Sequence, residues 1–154
     1  MKPKIFFYVG KARWGKSSAL FYIAEESNHR AWIKINNIDV FVRHTSNDDV
    51  PQSYFKFMES INPDCKPLII AALCANFTDS WAKTENILDG LKKKGYDLFF
   101  WVMVHQWGTD DTIKTDEIAR LRKYGKAEEY TKAREAKVRA NSFGLYVRQI
   151  IRHS

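Results

Sequence analysis

Gly10-Lys11-Ala12-Arg13-Trp14-Gly15-Lys16-Ser17 follows an apolar run and precedes a run of helix formers. The apolar run, from Lys4 to Val9, is short and rich in aromatic residues, as is typical of a strand buried on both faces of a parallel sheet. From Ser17 to Glu26 the residues favour a helix and include no breaker. Strand, glycine loop and helix in this order predict an α/β domain.

The rest of the chain extends this pattern. Residues 67–74 and 97–105 are further buried strands, and a helix is predicted between them at about 80–94. Residues 31–35 and 38–42 are β-rich runs on either side of Asn36-Asn37, which suits the tight turn of a hairpin, with one interrupted strand as the alternative. A short helix is predicted at 52–61. Strands that alternate with helices predict a mainly parallel central sheet with right-handed crossovers.

Length and composition limit the possibilities. A chain of 154 residues is expected to form a single domain over 1–154, and its 45% hydrophobic content argues against disorder. The two cysteines are too few for a disulfide framework and lack the spacing of a zinc site. No run approaches the roughly 20 apolar residues of a membrane span. We therefore expect a cytoplasmic protein with no membrane partner.

The glycine loop has the spacing G-x-x-x-x-G-K-[ST], satisfied by Gly10, Gly15, Lys16 and Ser17. Backbone N–H groups of such a loop, together with the positive end of the following helix, point at bound phosphates. Lys16 is expected to reach the β and γ phosphates, and the Ser17 hydroxyl is expected to bind Mg²⁺. These features predict a site for ATP or GTP with Mg²⁺.

This segment resembles the Walker A motif of P-loop NTPases, specifically over residues 4–26, while residues 67–105 are similar to their core in architecture only. The resemblance implies a P-loop NTPase-like three-layer α/β/α fold. The residues expected to bind the nucleotide are Gly10, Lys11, Arg13, Trp14, Gly15, Lys16, Ser17 and Ser18. Lys11 and Arg13 are equally well explained as solvated loop charges, and Trp14 as a residue that shields the loop or stacks on a neighbouring surface.

The family's second element, a strand that ends in a Mg²⁺-binding acid, is where this sequence departs from the pattern. The strand at 67–74 meets no carboxylate until Asp79. Candidates for the metal site beside Ser17 are therefore Asp79, Asp39, and Asp48 or Asp49, with Asn76 as a neutral alternative. Each of these acids can instead be an ordinary turn, surface or capping residue, and Asp79 in particular stands where a helix N-cap is expected.

Two more groups of residues are candidates for catalysis alongside Lys16. His105 and Gln106 follow the third buried strand, and ligands bind at that edge of an open α/β sheet; Trp107 beside them is expected to pack.

Residues 112–154 carry eleven basic and five acidic residues of a chain whose net charge is +7. We predict a basic helical segment at about 109–154. Arg120, Arg134 and Arg139 there stand where small P-loop kinases place a lid over the transferred phosphoryl group, although a solvated helical face explains each arginine as well.

These features favour a Mg²⁺-dependent, kinase-like phosphotransferase. The chain is short, its basic segment follows the third strand, and no Asn-Lys-x-Asp run of a guanine-reading GTPase is present. One alternative is an ATPase that acts with nucleic acid through the basic C-terminal region, as a homo-oligomer whose arginines reach a neighbour's nucleotide. The other is a nucleotide-binding module with little turnover, which the missing acid suggests.

Overall fold

A computed structural model describes residues 1–27, 29–74, 81–106, 110–132 and 135–154. Within these ranges the chain forms six strands and five helices. None of these five helices is long and apolar enough to cross a membrane. In chain order the elements are β1 (Lys4–Gly10), α1 (Lys16–Ile23), β2 (Trp32–Ile35), β3 (Ile38–Arg43), α2 (Pro51–Ser60), β4 (Leu68–Cys74), α3 (Trp81–Lys93), β5 (Asp97–Met103), α4 (Thr115–Arg122), β6 (Gly125–Tyr130) and α5 (Ala136–Arg152).

The strands form one sheet in the order β2-β3-β4-β1-β5-β6. All neighbouring strands are parallel except β2 and β3, which form the predicted antiparallel hairpin. Asn36 and Asn37 at its turn have positive φ values of 51° and 63°, which asparagine tolerates better than most residues. The prediction of an α/β chain with a mainly parallel sheet is confirmed.

The helices fall into two groups. Helix α1 packs against α5, and α2 packs against α3, an arrangement compatible with helices on both faces of the sheet. Helices α1 and α5 run in the same direction, because the Arg139 side chain lies beside Gly15 and the backbone of Gly144 lies beside Ile23. Both helices therefore begin at the edge of the sheet where β1 ends.

Aromatic residues join β1 to β5 at three successive levels. The stacked or tilted pairs are Phe6 with Phe99, Phe7 with Phe100, and Tyr8 with Trp101, at centroid distances of 5.4, 5.4 and 5.0 Å. Trp101 continues to Tyr130 of β6 at 4.5 Å, and Phe143 of α5 packs edge-on against Tyr8. These contacts fix the ends of β1, β5 and α5 relative to one another.

The structure differs from the helical segment predicted at about 109–154. Helices α4 and α5 lie there, but residues 125–130 between them form the edge strand β6. The Lys and Glu residues of β6 are also typical of a solvated helix, which is why the sequence predicts a helix there. Charged side chains are also how edge strands avoid pairing with other chains, and the strand state here depends on β5, a partner distant in sequence.

Gly125 provides a test of the β5–β6 pairing. A Cβ atom at this position would overlap the carbonyl oxygen of Leu98, its partner in β5. We expect Gly125→Ala to lower the free energy of unfolding by about 1–3 kcal/mol, as overpacking does, in urea denaturation. The control is Gly90→Ala in α3, where a Cβ atom meets nothing within 4 Å and the change is expected to stabilise by about 0.5–1 kcal/mol. Unchanged stability of Gly125→Ala would contradict this pairing.

Candidate functional site

The glycine loop joins the end of β1 to the start of α1. Gly10 is the last residue of β1, and Lys16 is the first of α1. Arg13 and Gly15 take positive φ values of 65° and 76°, which turn the chain sharply between the two elements. Trp14 between them is only 3% exposed. The Trp14 side chain is therefore packed into the protein and anchors the loop, whereas Ala12 and Arg13 are exposed.

Lys16 carries a charge that is almost completely buried. Its side chain is 5% exposed, its Nζ donates a hydrogen bond of 2.8 Å to the carbonyl oxygen of Lys11, and it lies 3.7 Å from Oδ1 of Asp48. A buried ammonium group is costly unless it has polar or charged partners. Here it has one neutral acceptor and one carboxylate, so a bound anion would find a cation already in place.

Asp48 is brought to Lys16 by the segment that follows β3. The side-chain amide of Asn47 accepts a 2.6 Å hydrogen bond from the backbone N–H of Cys74 and donates one of 3.1 Å to its carbonyl oxygen. This double link fastens the segment to the end of β4. The buried Ser46 hydroxyl donates to Oδ1 of Asp48. The carboxylate thus stands beside the strand where the sequence lacks a metal-binding acid.

The opposite side of the glycine loop opens into a cavity of about 280 Å³. From β1 the chain leads through α1 to the β2–β3 side of the sheet, whereas from β5 it leads through α4 to β6 on the other side. Adjacent strands whose connections diverge leave a crevice in which ligands bind. The cavity lies there and is lined by Arg13, Trp14, Gly15, Met103, His105, Gln106 and Arg139.

Arg139, in the first turn of α5, closes this cavity against the loop. It is 7% exposed, and its Nε donates a 2.9 Å hydrogen bond to the Tyr8 hydroxyl. A Cβ atom at Gly15 would lie 3.0 Å from its Nη2 atom and would crowd the guanidinium, and the φ of 76° at Gly15 also favours glycine. Burial raises the pKa of Tyr8 to about 12, although the charge of Arg139 opposes the shift. The neutral phenol thus holds a guanidinium in place beside the loop.

His105 and Gln106 reach the same cavity from the end of β5. His105 is exposed and forms an isolated β-bridge with Thr112. Gln106 donates from Nε2 to the carbonyl oxygen of Arg13 at 3.3 Å. The structure therefore brings these two residues to the glycine loop.

Other predicted site residues lie elsewhere or are engaged differently. The Lys11 ammonium bonds Oδ1 of Asp111 at 3.0 Å and the carbonyl oxygen of Thr112 at 2.9 Å, and it lies 5.9 Å from the centroid of the Trp14 ring. Ser17 and Ser18 are exposed at the start of α1. Asn76, Asp79, Trp107 and Arg134 lie outside the described residues.

Asp39 is not brought to the glycine loop. It forms an exposed ion pair with Lys34 at 2.9 Å. In the register of the parallel strands, Asp39 is level with the residue two positions before Ile5 in β1. Gly10 lies five positions after Ile5 in the same strand. At about 3.3 Å per residue the separation along the sheet is roughly 20 Å. Among the described residues no group of three or more His, Cys, Asp or Glu residues could hold a metal ion.

Two residues of the site, Asn47 and Tyr8, were missed by the sequence analysis. Asn47 stood in a segment that the sequence predicts as loop, and Tyr8 in an apolar run that predicts only a buried strand. A tyrosine inside an otherwise apolar strand is a usable signal, because a buried hydroxyl needs a hydrogen-bond partner. Nothing local to Asn47 indicates a partner 27 residues away.

Comparison with known proteins returns no match for this chain. No family model, no curated protein and no solved structure matches it. The side chains and distances given above are therefore the observations on which a function can be based.

The hydrogen bond between Tyr8 and Arg139 can be tested by removing one hydroxyl. We expect Tyr8→Phe to lower the free energy of unfolding by about 1–3 kcal/mol, because a buried Nε–H group loses its acceptor. Tyr146→Phe is the matched control, since the buried Tyr146 hydroxyl has no hydrogen-bond partner within the described residues, and its removal should be neutral or stabilising. Equal effects of the two changes in urea denaturation would contradict the proposed role of Tyr8.

Proposed function

We propose that this chain binds ATP or GTP with Mg²⁺ on the glycine loop and transfers the terminal phosphoryl group, as a small kinase-like P-loop enzyme does. One observation carries the proposal. The buried Lys16 ammonium and the Arg139 guanidinium approach the same glycine loop from its two sides, at an edge where α1 and α5 both begin. Two cations and two positive helix ends around a glycine turn favour a polyanion such as a triphosphate.

The orientation of the nucleotide follows from which side of the loop carries the carboxylate. Lys16 and Asp48 lie on the β4 side of β1, where Asn47 is fastened to Cys74. The β and γ phosphates and the metal ion belong on that side. The cavity between β1 and β5, which holds Arg139, His105 and Gln106, then takes the nucleoside and the inner phosphate.

Lys16 acts on the terminal phosphates. Its present bond to the Lys11 carbonyl is a contact to a neutral acceptor, and a phosphate oxygen makes a stronger, charge-assisted partner for the same ammonium. On binding, Lys16 exchanges the carbonyl for the β and γ phosphate oxygens. It then neutralises the negative charge that develops on the leaving phosphate during transfer.

Ser17 and Asp48 would hold Mg²⁺. This ion prefers oxygen ligands and binds through one or two protein groups together with substrate phosphates and water. The Ser17 hydroxyl is exposed beside the loop, and Asp48 lies near Lys16, so both can face a metal ion on the β and γ phosphates. In this proposal Asp48 replaces Asp39 as the metal-site acid, and Asp79 stays a prediction.

Arg139 in this orientation binds the nucleotide more than it serves as a lid. Its guanidinium is buried and fixed by Tyr8, so it favours a phosphate oxygen at a constant position. Gln106 and His105 line the same cavity and would contact the nucleoside. The catalytic roles predicted for Gln106, His105 and Arg134 stay predictions.

Three arginines in the described part of the basic C-terminal region make contacts inside the protein. Arg122 pairs with Glu129 at 3.3 Å, Arg120 lies over the Trp81 ring at 5.8 Å, and Arg139 is buried at the loop. These three arginines are engaged within the protein. Nucleic acid and a second copy of the chain stay predicted partners.

Replacing the buried lysine tests the phosphate site. We expect Lys16→Ala to weaken binding of Mg²⁺-ATP, or of Mg²⁺-GTP, by about 100-fold or more in isothermal titration calorimetry, because a charge-assisted contact in a buried site is lost. Lys11→Ala is the control: its ammonium is held by Asp111, and we expect less than about a threefold change. A folded Lys16→Ala protein with unchanged affinity would rule out the P-loop assignment.

Three aspartates can be compared to identify the metal-site acid. We expect Asp48→Asn to lower the Mg²⁺-dependent rate of nucleotide turnover by about 10–100-fold, as loss of a group that supports a metal does. Asp39→Asn removes only an exposed ion pair and should leave the rate unchanged. If Asp79→Asn abolishes Mg²⁺ dependence while Asp48→Asn retains it, Asp48 does not have this role.

A further inference from the structure

A second cavity borders the candidate metal-site acid. Its volume is about 250 Å³, and it lies where the segment after β3 meets the end of β4 and the start of α3. The residues that line it are Asn47, Asp48, Pro51, Phe55, Cys74, Lys83 and Thr84. Among the described residues it shares none with the cavity between β1 and β5, and only its Asp48 end belongs to the proposed nucleotide site.

This inner cavity combines three kinds of surface. Asp48 and Asn47 form a polar end beside Lys16, and Phe55 with Pro51 supplies an apolar wall. Lys83, in the first turn of α3, adds an exposed ammonium group. A ligand that matches all three has a polar group for the carboxylate, a small apolar body and a negative charge.

The inner cavity adjoins a larger groove. Phe55 and Lys83 also line a space of about 380 Å³ between α2 and α3, together with apolar residues such as Met58 and Ile87. Lys83 thus stands where the two spaces meet. A ligand held in the inner cavity has room for an apolar extension beyond the ammonium group.

We propose that the inner cavity binds the phosphoryl acceptor, an alcohol that carries an anionic group on a small apolar body; this inference rests on the proposed function. Asp48 borders both the phosphate side of the glycine loop and this cavity, so the two substrates meet at one carboxylate. Lys83 pairs with the anionic group.

Transfer of the γ phosphoryl group to the acceptor alcohol conserves atoms and electrons and needs no oxidant, reductant or further co-substrate. The acceptor oxygen forms a bond to the γ phosphorus as the bond from that phosphorus to the β–γ bridging oxygen breaks. The electron pair of the broken bond stays on the β phosphate of the departing diphosphate. The proton of the acceptor hydroxyl passes to water, because Asp48 is assigned to Mg²⁺ in the proposed function. The products are a phosphate ester and a nucleoside diphosphate.

The test uses para-hydroxymethylbenzoate as a probe, because it combines a hydroxyl, an apolar ring and a carboxylate. Titrated into isotope-labelled protein, with and without Mg²⁺ and a non-hydrolysable ATP analogue, it should shift the NMR signals of the backbone amides of Asn47, Phe55 and Thr84. Lys83→Ala should weaken its binding by about tenfold, as loss of a contact between charged groups does. The uncharged para-methylbenzyl alcohol should bind the variant and the parent equally.

Two control variants locate the probe. Lys93→Ala removes the same charge at the other end of α3, outside both cavities, and should change nothing. Gly90→Leu fills the larger groove between α2 and α3, where a Cβ atom at position 90 meets nothing within 4 Å. This change should leave the small probe bound. Absence of shifts at the three amides, or equal binding to Lys83→Ala and the parent, or loss of binding in Gly90→Leu, would overturn the acceptor site.

Calorimetry with Mg²⁺-ATP and Mg²⁺-GTP separates the two levels of the proposal. If a nucleotide binds while the probe does not shift the cavity amides, the acceptor site fails and the nucleotide site stands. If neither nucleotide binds, the proposed function fails and the acceptor role fails with it, even where the probe occupies the cavity. Nucleotide binding together with Lys83-dependent probe binding supports both.

Discussion

A lysine ammonium is buried at the point where β1 turns into α1, and the surrounding residues are arranged about that charge. Lys16 has as partners a carbonyl oxygen of its own loop and the carboxylate of Asp48. Asp48 stays there because Asn47 bonds both backbone polar atoms of Cys74 at the end of β4. A buried charge is stable only when such partners are fixed, so the packing of β1 beside β4 and the position of this carboxylate depend on each other.

The same loop is tied to the core on its other side. Tyr8 packs against Trp101 and Phe143 and accepts a hydrogen bond from Arg139. The guanidinium is therefore positioned by the aromatic contacts between β1, β5 and α5. A guanidinium fixed in this way needs little rearrangement when an anion binds. The proposed assignment of the terminal phosphate to Lys16 and the inner phosphate to Arg139 rests on the position of Asp48, which lies beside Lys16.

Much of the fold was predictable because its signals are local. Buried apolar runs indicated β1, β4 and β5, and Asn36-Asn37 marked a turn that needs positive φ values. Strand β6 was missed because its charged residues favour a strand only beside β5. In the site, the glycine spacing predicted the loop between β1 and α1. Asp48 could not be singled out among the candidate acids, because the link between Asn47 and Cys74 spans 27 residues and leaves no local pattern.

The central claim is that a nucleoside triphosphate lies across the glycine loop with its terminal phosphate on the β4 side. The most direct measurement is a crystal structure with Mg²⁺ and a non-hydrolysable ATP analogue. We expect Lys16 to leave the Lys11 carbonyl for the γ phosphate, Ser17 and Asp48 to hold the metal ion, and the nucleoside to occupy the cavity beside Arg139. A triphosphate in the opposite orientation, or a glycine loop that stays empty at saturating analogue, would contradict the claim.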